Sequence, residues 1–265
     1  MKIATFNVNG VNGRLAQVVE WLKESAPDVV CLQELKTEDR AFPEGVLQDA
    51  GYGSIWHGQK AWNGVAILAA GAKPVEIRRG LPGGREDDQS RYLEAAVNGV
   101  IVGCLYAPNG NPQPGPKFEY KLKWLQRLRK HARSLLAHGH PVVLAGDFNI
   151  IPTDFDVYSP ASWQGDALFH PKCQDAYTKL LAQGWKDALR DLHPKERIYT
   201  FWDYFRNHWS RNAGLRIDHL LLGPRLKPKS AGVDKWVRGK PHASDHAPAW
   251  VEIRKSRPRH ASGRD

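Results

Sequence analysis

The feature that most constrains this chain is the spacing of its short apolar runs. Strand-like runs recur at 2–8, 28–33, 51–57, 64–70, 91–97, 100–106, 142–148, 217–222 and 247–253, from one end of the sequence to the other. Runs of this size match a strand buried in a sheet and are too short for a core helix. Asn98-Gly99, between two of them, is the signature of a type I′ hairpin turn. Helical periodicity interleaves with the strands. Leu15, Val18, Val19 and Leu22 follow 3,4 spacing, and a longer helix over 117–137 sets Trp124, Leu125, Leu128 and Leu135 against many Lys and Arg residues. A further helical segment lies near 174–183. Hairpins and helices mixed in this way predict an α/β fold, with two sheets packed together and helices outside.

The chain has 265 residues, with no solenoid repeat and no long Gly/Ser linker. One domain over 1–254 is expected, followed by a basic tail over 255–265 that lacks an apolar pattern. No apolar run approaches the ~20 residues of a membrane span. The N-terminus enters strand-like sequence without a secretion segment, so a cytoplasmic protein is expected. Cys31 and Cys104 sit inside apolar runs and Cys173 has no CxxC partner, which argues for buried small side chains and against a thiolate zinc site. Lys and Arg number 38 against 28 acidic residues, a net charge of +10. That sign suits a polyanion, whose condensed counterions are released on binding, although a solvated basic surface carries the same charge.

Chemistry is suggested where polar groups close apolar runs. Alternate residues of a strand share a face, so Asp147 and Asn149 in Gly146-Asp147-Phe148-Asn149 point together, as do Asn7 and Asn9 in Phe6-Asn7-Val8-Asn9. Glu34 closes the run Asp28–Gln33. Each residue alone is more often a turn former or helix cap. Converging, they would offer hard oxygen ligands suited to Mg²⁺ and a carboxylate able to exchange a proton with water. Asp218 stands inside an apolar strand and needs a partner, either a histidine or a base such as Arg216. Asp245 and His246 are adjacent and can share a site only where the strand is irregular; Pro241 and Pro248 make it so. His219 reads as structural.

The ordered set Phe6-Asn7-Val8-Asn9-Gly10, Leu32-Gln33-Glu34-Leu35-Lys36, Tyr106-Ala107-Pro108-Asn109, Gly146-Asp147-Phe148-Asn149, Leu215-Arg216-Ile217-Asp218 and Ser244-Asp245-His246-Ala247-Pro248 resembles the exonuclease III family of abasic-site endonucleases over essentially the whole chain. The resemblance implies a four-layer α/β sandwich of the deoxyribonuclease I type, with the site at one edge of two mixed sheets. It implies metal ligation by Glu34, with Asn7 and Asp245 close by, and Mg²⁺ as cofactor with Mn²⁺ as a substitute. Asp147 would transfer protons, oriented by Asn149; His246, bonded to Asp218, would hold a phosphoryl oxygen. Tyr106 would contact the phosphate and Asn109 the DNA backbone. Phe201, Leu215 and Ile217 would wall a pocket for an abasic sugar. Asn9 stands where many relatives carry Asp, which leaves a second metal position open. The implied enzyme is a base-excision-repair nuclease acting as a monomer on duplex DNA, at abasic sites or 3′ ends. Lys117, Lys121, Lys123 and Arg127 are candidate phosphate contacts on the basic helix. Two alternatives are a phosphomonoesterase acting on inositol phosphates or lipid head groups, and a non-catalytic nucleic-acid-binding protein. Lys36, the stretch Trp202-Asp203-Tyr204 and the basic helix favour nucleic acid over the first, and the full set of chemically competent residues argues against the second.

Overall fold

A computed structural model describes residues 1–84 and 87–255. Twelve strands are found among them: β1 (Lys2–Asn7), β2 (Val29–Gln33), β3 (Tyr52–His57), β4 (Val65–Ala70), β5 (Val75–Arg79), β6 (Tyr92–Val97), β7 (Val100–Tyr106), β8 (Val142–Asp147), β9 (Lys186–Asp187), β10 (Asp218–Leu222), β11 (Leu226–Val233) and β12 (Ala249–Lys255). They form two six-stranded mixed sheets, ordered β11-β12-β1-β2-β4-β3 and β5-β6-β7-β8-β10-β9. All nine expected strands are present. Asn98 (φ 50°) and Gly99 (φ 71°) both take the left-handed conformation that the type I′ turn between β6 and β7 requires. The last strand starts two residues later than expected, after Pro248, which cannot donate to the ladder. The sequence did not signal β5, β9 or β11. β5 is exposed along its whole length, β9 has two residues, and β11 carries Pro228 at a register shift.

Helix α1 (Leu15–Ser25) covers the first sheet; α3 (Pro116–Ala137) and α4 (Pro171–Leu181) cover the second. A short α2 (Glu44–Asp49), α5 (Ala188–Leu192) and α6 (Lys235–Arg238) complete the outer layers. The result is the four-layer arrangement. Strand alternation supplies three cores. Ile3, Cys31, Ile67, Val102, Cys104, Ala145 and Leu220 meet between the sheets. Phe6 and Leu32 pack outward against Val18, Trp21 and Leu22 of α1, and Leu144 and Phe148 pack outward against Trp124, Leu128 and Tyr177. All three cysteines are free and buried, as expected. No described helix is long and apolar enough to cross a membrane. Of the expected tail 255–265, Lys255 ends β12 and the remainder lies outside the described residues.

Candidate active site

The same alternation that fills the central core delivers the polar groups. Ile3, Val102, Cys104, Ala145 and Leu220 face between the sheets, and the next residues of that parity at the strand ends are Asn7, Tyr106, Asp147 and Asp218. Register then fixes their grouping: Tyr106 lies beside Asp147 across the parallel β7–β8 pair, and Asp218 lies opposite Asp147 across β8–β10. Gly146 before Asp147 allows the close approach, because a Cβ there would stand 1.9 Å from the Leu105 carbonyl oxygen. Glu34 and Asn149, just past β2 and β8, and Asn9 past β1 all adopt φ near +50°. Asn tolerates that conformation, whereas Glu34 is held in it at a cost. The bend turns each side chain back over the strand ends.

The resulting network is dense. Asn7 Nδ2 donates to Glu34 Oε1 at 2.9 Å and to Asp147 Oδ2 at 3.0 Å, so one amide nitrogen joins two carboxylates from different sheets. Its Oδ1 accepts from the Asn9 N–H at 3.0 Å. Asn7 therefore serves here as a donor bridge between the two carboxylates. Tyr106 donates its hydroxyl to Glu34 Oε1 at 2.8 Å. Asp147 Oδ1 accepts from the Asn149 N–H at 2.8 Å, and Asn149 Nδ2 lies 3.4 Å from Oδ2. His246 Nδ1 is 2.8 Å from Asp218 Oδ2, and its Nε2 is 3.8 Å from Asp147 Oδ2. The partner of Asp218 is thus His246. Arg216 turns to the opposite face and pairs instead with Asp156 and Asp187, beside the buried His219, which is structural as read from sequence. Asp245 accepts from Asn9 Nδ2 at 3.1 Å.

Burial and charge set the protonation states. Burial, then the charge of Asp218 directly across the ladder, pushes Asp147 up to about 7 against the pull of His246. Burial alone would lower His246, yet the Asp218 carboxylate outweighs it and pushes the imidazole up to about 10. Glu34 is held below the usual carboxylate range: burial opposes this, but the Lys36 ammonium 2.9 Å away and the Asn7 amide prevail. Burial keeps the Tyr106 hydroxyl protonated. Asp147, Asp218 and His246 also form a buried group whose ligand atoms lie within 4.8 Å of one another, close enough to hold a cation.

Other expected residues are dispersed around this centre. Asn109 is exposed, 3.5 Å from Asn149 Oδ1 through its Nδ2. Phe201 is half-buried, with its ring 5.0 Å from that of His246, edge on. Leu215 and Ile217 lie in a small apolar cluster beside it, both fully buried. Lys117 and Lys123 are exposed on α3. Lys121 is a correction: it is fully buried, and its Nζ donates to the carbonyls of Asn109 (2.9 Å), Asn149 (2.6 Å) and Ala167 (3.3 Å). The 3.6-residue period turns it toward the core, where it ties the loops after β7 and β8 together, and burial lowers it to about 8. Arg127 is likewise held, by Asp87 and by the carbonyls of Leu81 and Pro82. The sequence marks Tyr204 only as part of an aromatic stretch; at the site its hydroxyl joins Asn9, Arg14 and the Ala243 carbonyl. A tyrosine beside a motif gives no sign of such a junction until the loops are folded.

The chain is similar in sequence and fold to known proteins. Residues 4–246 match the endonuclease/exonuclease/phosphatase family. The chain is 33% identical to exodeoxyribonuclease III of Haemophilus influenzae, covering 96% of this chain and 100% of that protein. It is 30% identical to the DNA repair nuclease APEX1 of Danio rerio, over 94% and 80% of the two chains. Among solved structures it superposes on NExo, a 3′ phosphatase from Neisseria bound to a product DNA hairpin, with a TM-score of 0.91 and 39% identity, covering 96% of this chain and 99% of that one. An AP endonuclease from Archaeoglobus fulgidus gives 0.90 and 37%, with the same coverage. The chain therefore belongs to the endonuclease/exonuclease/phosphatase family, in its exonuclease III branch, and is a hydrolytic DNA-repair nuclease.

Proposed function

We propose that this nuclease incises duplex DNA at abasic sites and trims 3′ ends, by direct attack of water on phosphorus. The observation that carries the reading is the Asn7 bridge, which sets an ionised metal-type carboxylate, Glu34, beside Asp147, a carboxyl able to exchange a proton near neutral pH. Glu34, with Asp245 on the same rim, presents the hard oxygens that suit Mg²⁺, or Mn²⁺ in its place. The Asp147–Asp218–His246 group fits a cation less well. A protonated imidazole is no ligand, and its Nδ1 is already bonded to Asp218. A divalent ion at Glu34 would supply Lewis-acid stabilisation of a phosphoryl oxygen.

The chain's own groups do the rest. Asp147, aimed by the Asn149 N–H, takes the proton of the attacking water. The water oxygen bonds to phosphorus as the P–O bond to the leaving oxygen breaks, and that oxygen takes up a proton from solvent. His246, kept cationic by Asp218, donates from Nε2 to a non-bridging oxygen where charge builds. The Tyr106 hydroxyl remains a donor throughout. Phe201 lies beside His246 and packs on the cluster of Leu215 and Ile217, where a small apolar pocket would admit a flipped sugar lacking its base and exclude a whole nucleotide by size. Lys117 and Lys123 would contact phosphates, and Asn109 the backbone. The same reading has the chain act as a monomer.

The test is incubation with a duplex carrying one abasic site and Mg²⁺, beside an intact duplex and an EDTA control. Incision at the abasic site that EDTA abolishes is expected. Equal cutting of both duplexes would remove the abasic reading.

A further inference from the structure

Glu34 has little room left. A carboxylate oxygen accepts about two hydrogen bonds, and Oε1 already accepts from Asn7 Nδ2 at 2.9 Å and Tyr106 Oη at 2.8 Å. The oxygen open to a cation is Oε2, where Lys36 Nζ lies 2.9 Å away. That ammonium is seated by more than its ion pair. It also donates to Asn9 Oδ1, whose amide reaches on to Asp245 Oδ1 at 3.1 Å, and it lies 5.7 Å from the centre of the Trp62 ring. The Lys36 backbone is in the left-handed region at φ 51°, anchored by its N–H to the Asn63 carbonyl at 2.9 Å. A strained backbone turn thus aims a cation at the position a metal would need.

We propose that Lys36 is an internal counter-ion that a divalent cation must displace from Glu34, and that the displaced ammonium then pairs with a DNA phosphate, so that metal and DNA bind cooperatively through one side chain. The proposal rests on reading Glu34 as the metal carboxylate. Two cations cannot share Oε2 without repulsion, so binding of the ion drives Nζ outward. The Lys36 side chain is 29% exposed and Trp62 75% exposed, so the outward path leads to solvent, where a phosphate could meet the ammonium. Linkage then runs both ways: a phosphate that accepts the ammonium leaves Oε2 free, and DNA raises metal affinity by the factor by which metal raises DNA affinity.

The experiment uses Mn²⁺, followed by electron paramagnetic resonance of the free ion, with and without an abasic duplex, in a cleavage-incompetent Asp147→Asn background. Lys36→Met, and Lys36→Gln should the first fail to fold, are expected to tighten Mn²⁺ binding to the DNA-free protein by about tenfold or more. They should also reduce the Mn²⁺-dependent gain in DNA affinity to near one, and lower the salt slope of DNA binding by about one. Lys36→Arg, which keeps the charge, should retain the coupling. Mn²⁺ affinity unchanged or weakened in the folded neutral variants would overturn the counter-ion role while leaving the metal reading intact. No Mn²⁺ binding by the parent protein would overturn both.

Discussion

Asp147 and Asp218 face each other directly across the β8–β10 ladder, both fully buried. The fold therefore carries a cost at Asp147 that replacement by Asn should relieve. A carboxyl held at about 7, against an ordinary 3.8, destabilises the folded state by up to about 4 kcal/mol once it is ionised in both states. The sign follows from proton counting. Between about pH 4 and 7 the folded protein binds the proton that the unfolded chain has released, so stability falls as pH rises through that window. Asp147→Asn loses an acceptor toward Asn7 Nδ2, worth about 1 kcal/mol, although that nitrogen keeps Glu34. The net expectation at pH 8 is a gain of about 2–3 kcal/mol, or several degrees in melting temperature for a chain of this size. At pH 4 the two proteins should be equal, or the variant slightly weaker. Urea denaturation at both pH values measures this, beside an assay in which the variant should be inactive. A variant less stable than its parent at pH 8, or a difference that does not change with pH, would refute the reasoning.

Asp218→Asn removes what keeps His246 protonated, so kcat should fall about 10²–10³-fold at pH 8 with KM little changed, and the loss should shrink as pH is lowered; a loss uniform with pH would mean that Asp218 acts only through structure. Neutralising Lys117 and Lys123 together should lower the slope of log K against log salt by about two, whereas Lys121→Met should lower the melting temperature and leave that slope alone. Phe201→Ala should reduce discrimination between abasic and intact duplexes more than it reduces stability. A large drop in melting temperature with the rate ratio preserved would make Phe201 a core residue.

The layers and the strand ends were legible in the sequence because both follow from period. Unbroken apolar runs such as Val142–Ala145 and Leu220–Leu222 mark strands buried on both faces, with Asp147 and Asp218 beside them, but which parity faces the other sheet shows only in the folded cores. Their grouping was not legible from period, because it depends on register: Asp218 meets Asp147 and not a neighbour only through the antiparallel β8–β10 pairing. Motif resemblance supplied the His246–Asp218 pair, which the structure forms at 2.8 Å. Lys121 was misread because a lysine on a basic helix looks solvated, and only the folded loops show three carbonyls waiting for its ammonium. The edge strand β5 escaped because every residue in it is exposed, so no burial pattern marks it.

The central claim is that water attacks phosphorus directly, with Asp147 taking the proton and no covalent link to the protein. The most direct measurement is a single-turnover incision of a duplex whose phosphodiester beside one abasic site is a phosphorothioate of defined chirality at phosphorus, with ¹⁸O-water as the nucleophile. Inversion at phosphorus is expected, with the label in the product phosphorothioate. Retention of configuration would mean two displacements through an enzyme-bound intermediate and would contradict the mechanism.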